Sequence, residues 1–428
     1  THQYWNRPSG SGLTIKLLEQ RPKPYATTLE LTFHGSGCVT NVPPYRILNV
    51  ITRIEQGGAP LALLETVKRM DRGLFDISLA IGQAEDRDRD LDPVSIDVGL
   101  RIHQIPELRR SVHPVRDLVA LIKLIGIIRA GEYDLVHTHT SKAGLLGRIA
   151  ASYCGVPAIV HSSHGSILDG YFSPSLTSIF AQFEKFAASI SDKIICLTRE
   201  EIGRNLEAGI GSESQYTYIF NGIDISGFEH RRGNRDLLRR EFQFGPDDHV
   251  CVTVGRLVPI KGQSDLLEAF AIAHRNNPRL KLLLVGDGEL RTILESRIRD
   301  LHITEATHLA GWRNDVAELL DACDLFVLTS LNEGLGLVLI EAMAKKLAVV
   351  ATKVGGVSEV VEDGKTGRLV SAQDTEAIGS AIAELTSNNE TRLRMGESGY
   401  ERAKAFFSID QTVRNTENLY RDLLALKS

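Results

Sequence analysis

Residues 324–351 constrain this chain more than any other stretch. Asp324-Leu-Phe-Val-Leu328 is a short apolar run with polar bounds, the pattern of a buried parallel strand. It leads into Glu333-Gly334-Leu335-Gly336-Leu337, and then into a helical spacing carried by Leu337, Ile340, Glu341 and Ala344. Leu347-Ala-Val-Val-Ala351 reads as a second buried strand. Strand, glycine turn, helix, strand is a parallel-sheet crossover, and its turn lies at the carboxyl ends of the strands, where open α/β sheets bind ligands. Gly334 and Gly336 let backbone approach a ligand closely. The free N–H groups of Leu335, Gly336 and Leu337 at the start of a helix suit an anion. Glu333 and Glu341 would repel that anion. They fit beside it as acceptors of hydroxyl hydrogen bonds, one from a sugar and one from a ribose, on either side of a diphosphate. The plainer alternative is an ordinary crossover with two solvated acids.

A chain of 428 residues is too long for one ordinary core and implies two or three domains. Its 43% hydrophobic and 24% charged content is that of a soluble globular protein, and a net charge of −5 provides no global field for nucleic acid. Cys38, Cys154, Cys196, Cys251 and Cys323 are dispersed, with no metal-ligand spacing, which fits a reducing compartment. No signal peptide is visible, and the longest apolar run, residues 118–128, is broken by Lys123 and too short to span a bilayer. A cytoplasmic protein is expected, at most peripheral on the inner face of the plasma membrane.

Residues 1–44 read either as a hairpin, from the alternation in 13–17 and 29–33, or as a partly disordered extension. The regular pattern starts with the strand Arg46-Ile-Leu-Asn-Val-Ile51, followed by Gly57-Gly58 and a helix over 60–70, again a turn that permits close approach of a ligand. Asp86-Arg-Asp-Arg-Asp-Leu-Asp92 has the Asp-x-Asp spacing of a cation site but is interleaved with arginines and reads as a solvated loop. A helix is predicted over 114–130. The strands ending at His139 and His164 place a histidine at the carboxyl end of successive strands, facing the cleft; a zinc site would need a third ligand, which no spacing supplies. Lys142 opens the next helix. Tyr171, Phe172, Phe180, Phe183 and Phe186 are either core or a face toward a hydrophobic acceptor or membrane. Asn221-Gly-Ile-Asp224 is a tight turn at the domain junction.

A second sheet starts at Val250-Cys-Val-Thr-Val254 and runs into Gly255-Arg256-Leu-Val-Pro-Ile-Lys261-Gly262. A guanidinium and an ammonium on one loop are what a departing diphosphate requires. The strand at 281–285 ends in Gly286-Asp-Gly288, and 307–315 places the Gly311-Trp312-Arg313 backbone to edge a nucleobase. Residues 408–427 have a helical pattern.

Together these motifs, from Gly57-Gly58 through His164-Gly165, Asn221-Gly-Ile-Asp224, Arg256…Lys261 and Gly286-Asp-Gly288 to the Glu333-x7-Glu341 pair, resemble the retaining glycosyltransferases of family 4, with the GT-B fold. Val136-His-Thr-His-Thr-Ser-Lys-Ala-Gly144 is similar to the bacterial enzymes of exopolysaccharide, capsule and O-antigen assembly. The resemblance implies an α/β architecture: two Rossmann-like, doubly wound domains facing a central cleft. The boundaries are an extension over 1–44, an acceptor domain over 45–222, a sugar-nucleotide domain over 223–407, and a terminal helix over 408–428 packing back toward the first domain. It further implies Arg256 and Lys261 on the diphosphate, Glu341 on the ribose, Glu333 on the donor sugar, His164 near the reacting carbon and the Gly57-Gly58 loop near the phosphates. Gly286, Trp312 and Arg313 complete the donor side. His139, Lys142, Tyr171 and Phe172 form the acceptor side. The expected co-substrate is a nucleotide sugar, with UDP favoured over GDP, and the acceptor a saccharide or polyprenyl-linked saccharide; neither cofactor nor metal is expected. Rival readings are a sugar-nucleotide epimerase or hydrolase, a glycan phosphorylase, or a non-catalytic nucleotide-sugar-binding subunit. A nicotinamide oxidoreductase lacks its Gly-x-Gly-x-x-Gly after the first strand.

Overall fold

The computed structural model describes residues 43–54, 58–83, 99–165 and 174–427, with no side chains for 174–176. The expected hairpin in 13–33, Cys38 and the Asp86–Asp92 loop lie outside the described residues. Two parallel sheets carry the chain. The first contains β1 (Tyr45–Ile51), β2 (Phe75–Ile81), β3 (Arg101–Gln104), β4 (Leu135–His139), β5 (Ala158–Ser162), β6 (Lys193–Cys196) and β7 (Tyr216–Tyr218), in the order β3-β2-β1-β4-β5-β6-β7. The second contains β8 (His249–Val254), β9 (Leu280–Val285), β10 (Thr307–Gly311), β11 (Leu325–Leu328), β12 (Ala348–Thr352) and β13 (Gly367–Val370), in the order β10-β9-β8-β11-β12-β13. Both are doubly wound α/β sheets of the expected class. Each reverses its strand order once, between β1 and β4 and between β8 and β11. A crevice opens beyond the carboxyl ends at such a reversal because the flanking loops leave in opposite directions.

The strands follow from their composition. Helices cover both faces, so a central strand must be apolar on both. All four residues of Leu325–Leu328 and all five of Ala348–Thr352 are buried. The edge strand β3 escaped the sequence reading because Arg-Ile-His-Gln is only half-covered, with both ends exposed, and so carries no apolar run. Asn49 is the exception in β1. It is a fully buried polar side chain in the middle of a central strand.

The chain crosses between the two sheets twice. After β7 it runs through Asn221-Gly222-Ile223 toward β8. After the helix Asn389–Phe406 it returns beside that segment, with the Ile223 N–H donating to Phe407 O (3.0 Å) and the Ile409 N–H to Ile223 O (2.8 Å). The last helix, Ile409–Lys427, then lies against the first sheet and the helix Gly58–Arg69. Its apolar stripe of Ile409, Val413, Tyr420, Leu423 and Leu424 joins the core formed by Ile51, Leu63, Val67 and Phe75. This i, i+4, i+7 spacing turns one helical face inward.

The start of β11 is held by a buried carboxylate. Asp324 accepts from Arg235 Nη2 (2.7 Å), Arg239 Nη2 (2.7 Å) and the Val250 N–H (2.8 Å), while Arg392 Nη1 donates to its backbone carbonyl (2.8 Å). Arg239 is itself buried. Asp324→Ala leaves those guanidinium groups without their counter-charge, an expected loss of about 3–5 kcal/mol. Urea denaturation of the variant against the native chain checks it: a midpoint within error of the native value contradicts this account.

Candidate functional site

Two loops at the strand reversal of the second sheet build the centre of the site. After β8 the chain passes Gly255 and the exposed Arg256, makes a single 3₁₀ turn over Pro259–Lys261, and enters the helix Gln263–Asn276 through Gly262. Gly262 has φ 63, and a Cβ there would collide with the Thr329 carbonyl of the neighbouring loop. Glycine is required here both for its backbone conformation and for that contact. After β11 the chain runs through Thr329, Ser330 and Glu333 to Gly336, at φ 76, which opens the helix Leu337–Ala344 with no side-chain cap.

The two loops meet at Glu333. Lys261 Nζ lies 2.5 Å from Glu333 Oε1, and Ser330 Oγ donates to the same oxygen at 2.6 Å. Lys261 and Glu333 are both largely buried, at 22% and 10% side-chain exposure, so their pairing is screened less than a surface ion pair. Arg256 differs. Its guanidinium is exposed and makes no ion pair or hydrogen bond among the described residues, while its carbonyl accepts from Gln263 Nε2 at 2.8 Å. Among the described residues the arrangement is therefore one free cation, one cation shared with a carboxylate, and one uncapped helix start, all at the carboxyl edge of one sheet.

The first sheet faces this edge. A side chain at Gly334 would lie 3.5 Å from the His164 carbonyl oxygen, one at Gly58 2.9 Å from Leu337 Cδ1, and one at Gly356 2.8 Å from Thr198 Cγ2. Arg199 N–H donates to Glu359 Oε1 at 3.3 Å. Hence Gly58 lies against Leu337 and Gly334 near His164 where the two lobes meet, next to Glu333 and its partner Lys261, whose loop also carries Arg256. Leu335 itself is buried in the core of the second lobe, so only its backbone is available to a ligand.

The remaining residues named from sequence have these surroundings. Gly286, at φ 135, is tight because the Gly255 backbone packs on it, so it shapes the loop after β8. Arg313 is committed to Asp315 (2.7 Å) and Glu241 (2.5 Å) and is not free for a donor. Trp312 is half-exposed, its indole N–H donating to Asn314 Oδ1 at 3.3 Å. Glu341 is partly buried with no hydrogen bond to its carboxyl among the described residues, and burial pushes its pKa up to about 7 despite Arg231. On the other lobe Lys142 is tied to Asp117 (2.8 Å) and the Ser111 carbonyl. His139 is buried, with its Nδ1 2.9 Å from His164 Nε2. Gly57, Tyr171 and Phe172 lie outside the described residues. Sequence reading missed Ser330, whose hydroxyl orients Glu333, and gave Asn221 only as part of the junction turn, whereas its amide nitrogen lies 3.2 Å from His164 Nδ1. Gly355 and Gly356 pack against the Glu333 and Gly334 carbonyls. Among the described residues no cluster of histidine, cysteine or acidic side chains is arranged to hold a metal.

Comparison with known proteins agrees with this geometry. The family described as "Glycosyl transferases group 1" matches residues 234–402, and the "Glycosyl transferase 4-like domain" matches residues 57–222. The UDP-Gal:alpha-D-GlcNAc-diphosphoundecaprenol alpha-1,3-galactosyltransferase of Escherichia coli is 30% identical over 335 residues, covering 78% of this chain and 86% of that one. The N-acetyl-alpha-D-glucosaminyl L-malate synthase of Bacillus anthracis is 29% identical, covering 75% and 84%. Among solved structures, Anabaena HepE in complex with UDP superposes with a TM-score of 0.75 at 23% identity, over 88% of this chain and 100% of that one, a likeness of fold. The chain belongs to the family 4 type of glycosyltransferases, and is an enzyme on the GT-B fold.

Proposed function

We propose that the chain transfers a hexose-type sugar from a nucleotide diphosphate sugar, UDP-linked in preference to GDP-linked, to a hydroxyl of a saccharide or lipid-linked acceptor, with retention of configuration and without a metal. The observation that carries this reading is the exposed Arg256, unpaired among the described residues, beside the Lys261–Glu333 pair and the open helix start at Leu337. A guanidinium binds a diphosphate bidentately, and helix N–H groups add donors that need no reorganisation. Glu333, held by Lys261 and Ser330 through one oxygen, keeps its other oxygen for a sugar hydroxyl. Glu341 would take the ribose hydroxyls. In the transfer, the bond from the anomeric carbon to the diphosphate oxygen breaks as the acceptor oxygen bonds to the same face. The acceptor proton passes to the departing diphosphate. Arg256 and Lys261 offset the charge that grows there.

The acceptor side is less defined by side chains. Val112, Val115, Leu118 and Ile122 are exposed at or just before the helix Pro114–Gly131, as are Phe183 and Phe186 on the helix Pro174–Ser189. An apolar surface on the first lobe suits a peripheral site for a lipid-linked acceptor at the inner membrane face. The polyprenyl diphosphate acceptor named for the Escherichia coli relative points the same way. No helix among the described residues is long and apolar enough to cross a membrane.

The decisive experiment offers a panel of UDP- and GDP-sugars to the chain and follows release of the nucleotide diphosphate. Arg256→Ala is expected to lower kcat/KM roughly a hundredfold or more, from the loss of a charge-assisted contact that strengthens as the diphosphate leaves. Glu333→Gln keeps the Ser330 contact but loses the ion pair, and is expected to lower kcat and also the melting temperature, because the largely buried Lys261 ammonium is left without its counter-charge. Native activity in both variants would remove the assignment. Full turnover in excess chelator is also expected, and strict dependence on a divalent cation would refute the metal-free step. Glu341 gives a test by pH. Its folded pKa of about 7 lies above the ordinary 4.5, so the folded chain holds this proton more tightly than the unfolded one. Ionisation therefore costs stability progressively as pH rises from 4.5 through 7. Glu341→Gln should raise the melting temperature at pH 8 and leave it unchanged at pH 4.5.

A further inference from the structure

Behind the cleft histidine lies a row of buried polar groups that the transfer step above does not use. His164 occupies the left-handed backbone region, at φ 55. A non-glycine residue stays there only where its surroundings over-determine it. Its ring is held at both nitrogens. Nε2 lies 2.9 Å from His139 Nδ1, and Nδ1 lies 3.2 Å from Asn221 Nδ2. The two imidazoles meet edge to edge, with centroids 5.2 Å apart and planes at 27°. On its far side His139 Nε2 lies 3.1 Å from Asn49 Oδ1. The row thus runs from the middle of β1, through the end of β4, to the loop after β5, and ends on the linker between the lobes.

The polarity of this row is set at its two ends. A neutral imidazole has one N–H and one bare nitrogen, so it donates on one side and accepts on the other. Asn49 presents its carbonyl oxygen, which only accepts, while its amide nitrogen is buried without a partner among the described residues; in this orientation His139 donates from Nε2 and accepts at Nδ1. His164 must then donate from Nε2, which leaves its Nδ1 to accept. Asn221 presents its amide nitrogen there, which only donates. The two amides come from different elements, yet they orient the row the same way, with one proton in each gap. Burial lowers the pKa of His164 to about 4 and holds that of His139 well below the ordinary range, so neither ring carries a second proton at neutral pH.

We propose that Asn49 and His139 are positioning residues that lock His164 as its Nε2–H tautomer, so that both ring nitrogens are engaged inside the protein and the ring clasps the first lobe to the interlobe linker at Asn221. His164 is then no proton acceptor for the incoming hydroxyl. This is consistent with the acceptor proton passing to the leaving diphosphate, and to that extent the inference rests on the glycosyl-transfer reading. The sequence held the signal in an unusual form: Asn49 is the one polar residue in the run Ile47-Leu-Asn-Val-Ile51.

The test is nitrogen NMR of the full chain with ¹⁵N-labelled histidine, assigned through His164→Gln and His139→Gln. The expected result is a His164 ring protonated at Nε2 alone from pH 6 to 8. Protonation at Nδ1, or at both nitrogens, overturns the proposal. Kinetics supply a second readout. Glutamine at position 139 can still donate to Asn49 and accept from His164, so His139→Gln should retain most of kcat. His139→Leu can do neither and should lose roughly ten- to a hundredfold in kcat, with donor KM little changed. Equal loss in the two variants, each with a native melting temperature, also overturns it. The tautomer is read without any substrate. If no sugar nucleotide is turned over yet His164 is protonated at Nε2 alone, the functional reading fails and the positioning row stands.

Discussion

Glu333 receives its neighbours on a single oxygen, and that economy organises the second lobe's edge. Lys261 comes from the loop after β8 and Ser330 from its own loop after β11. These are the two central strands, where the sheet reverses direction. The pair closes the gap between them at depth, where solvent screens little. The contact also neutralises one cation and leaves the other free. Arg256, five residues before Lys261, faces solvent with no counter-charge among the described residues. A site that must bind a diphosphate and then release it gains from this split: one charge fixes geometry and the other meets the ligand.

Glycines serve this edge in two ways. Gly262 must be small and left-handed because the Thr329 carbonyl sits against it, which brings the β8 and β11 loops close enough for the ion pair. Gly58 and Gly334 let the two lobes touch beside the cleft. The same residue type thus permits packing within a lobe and contact between lobes, and spacing alone does not separate the two. Gly286 shows the consequence: it looks like a ligand-approach glycine, yet the atoms that approach it belong to Gly255.

The lobes are joined by more than their linkers. The terminal helix buries Tyr420 in the first lobe, with its hydroxyl 2.6 Å from His137 Nδ1, and His137 Nε2 lies 2.8 Å from Ser162 Oγ. Beside this runs the Asn49, His139, His164, Asn221 row. Buried polar groups are costly unless each finds a partner. In this row both nitrogens of His139 and of His164 have one, while Asn49 Nδ2 is buried without a partner among the described residues.

Much of this was readable from the chain alone. Buried parallel strands announce themselves as Val, Ile and Leu runs because both faces are covered, and the loops after them end up on one edge by topology. That determined the two sheets and put Arg256, Lys261, Glu333 and His164 on loops at the carboxyl ends of their strands. Pairing was not readable. Arg313 and Lys142 have the same chemistry as Arg256, and only the folded chain shows them already matched with Glu241, Asp315 and Asp117. Nor does local sequence place Asn49 within reach of His139, 90 residues away, or put Asn221 on the far nitrogen of His164. Backbone pattern is set by neighbours along the chain. Which polar side chain meets which is set by distances across it, and those exist only once the sheets have formed.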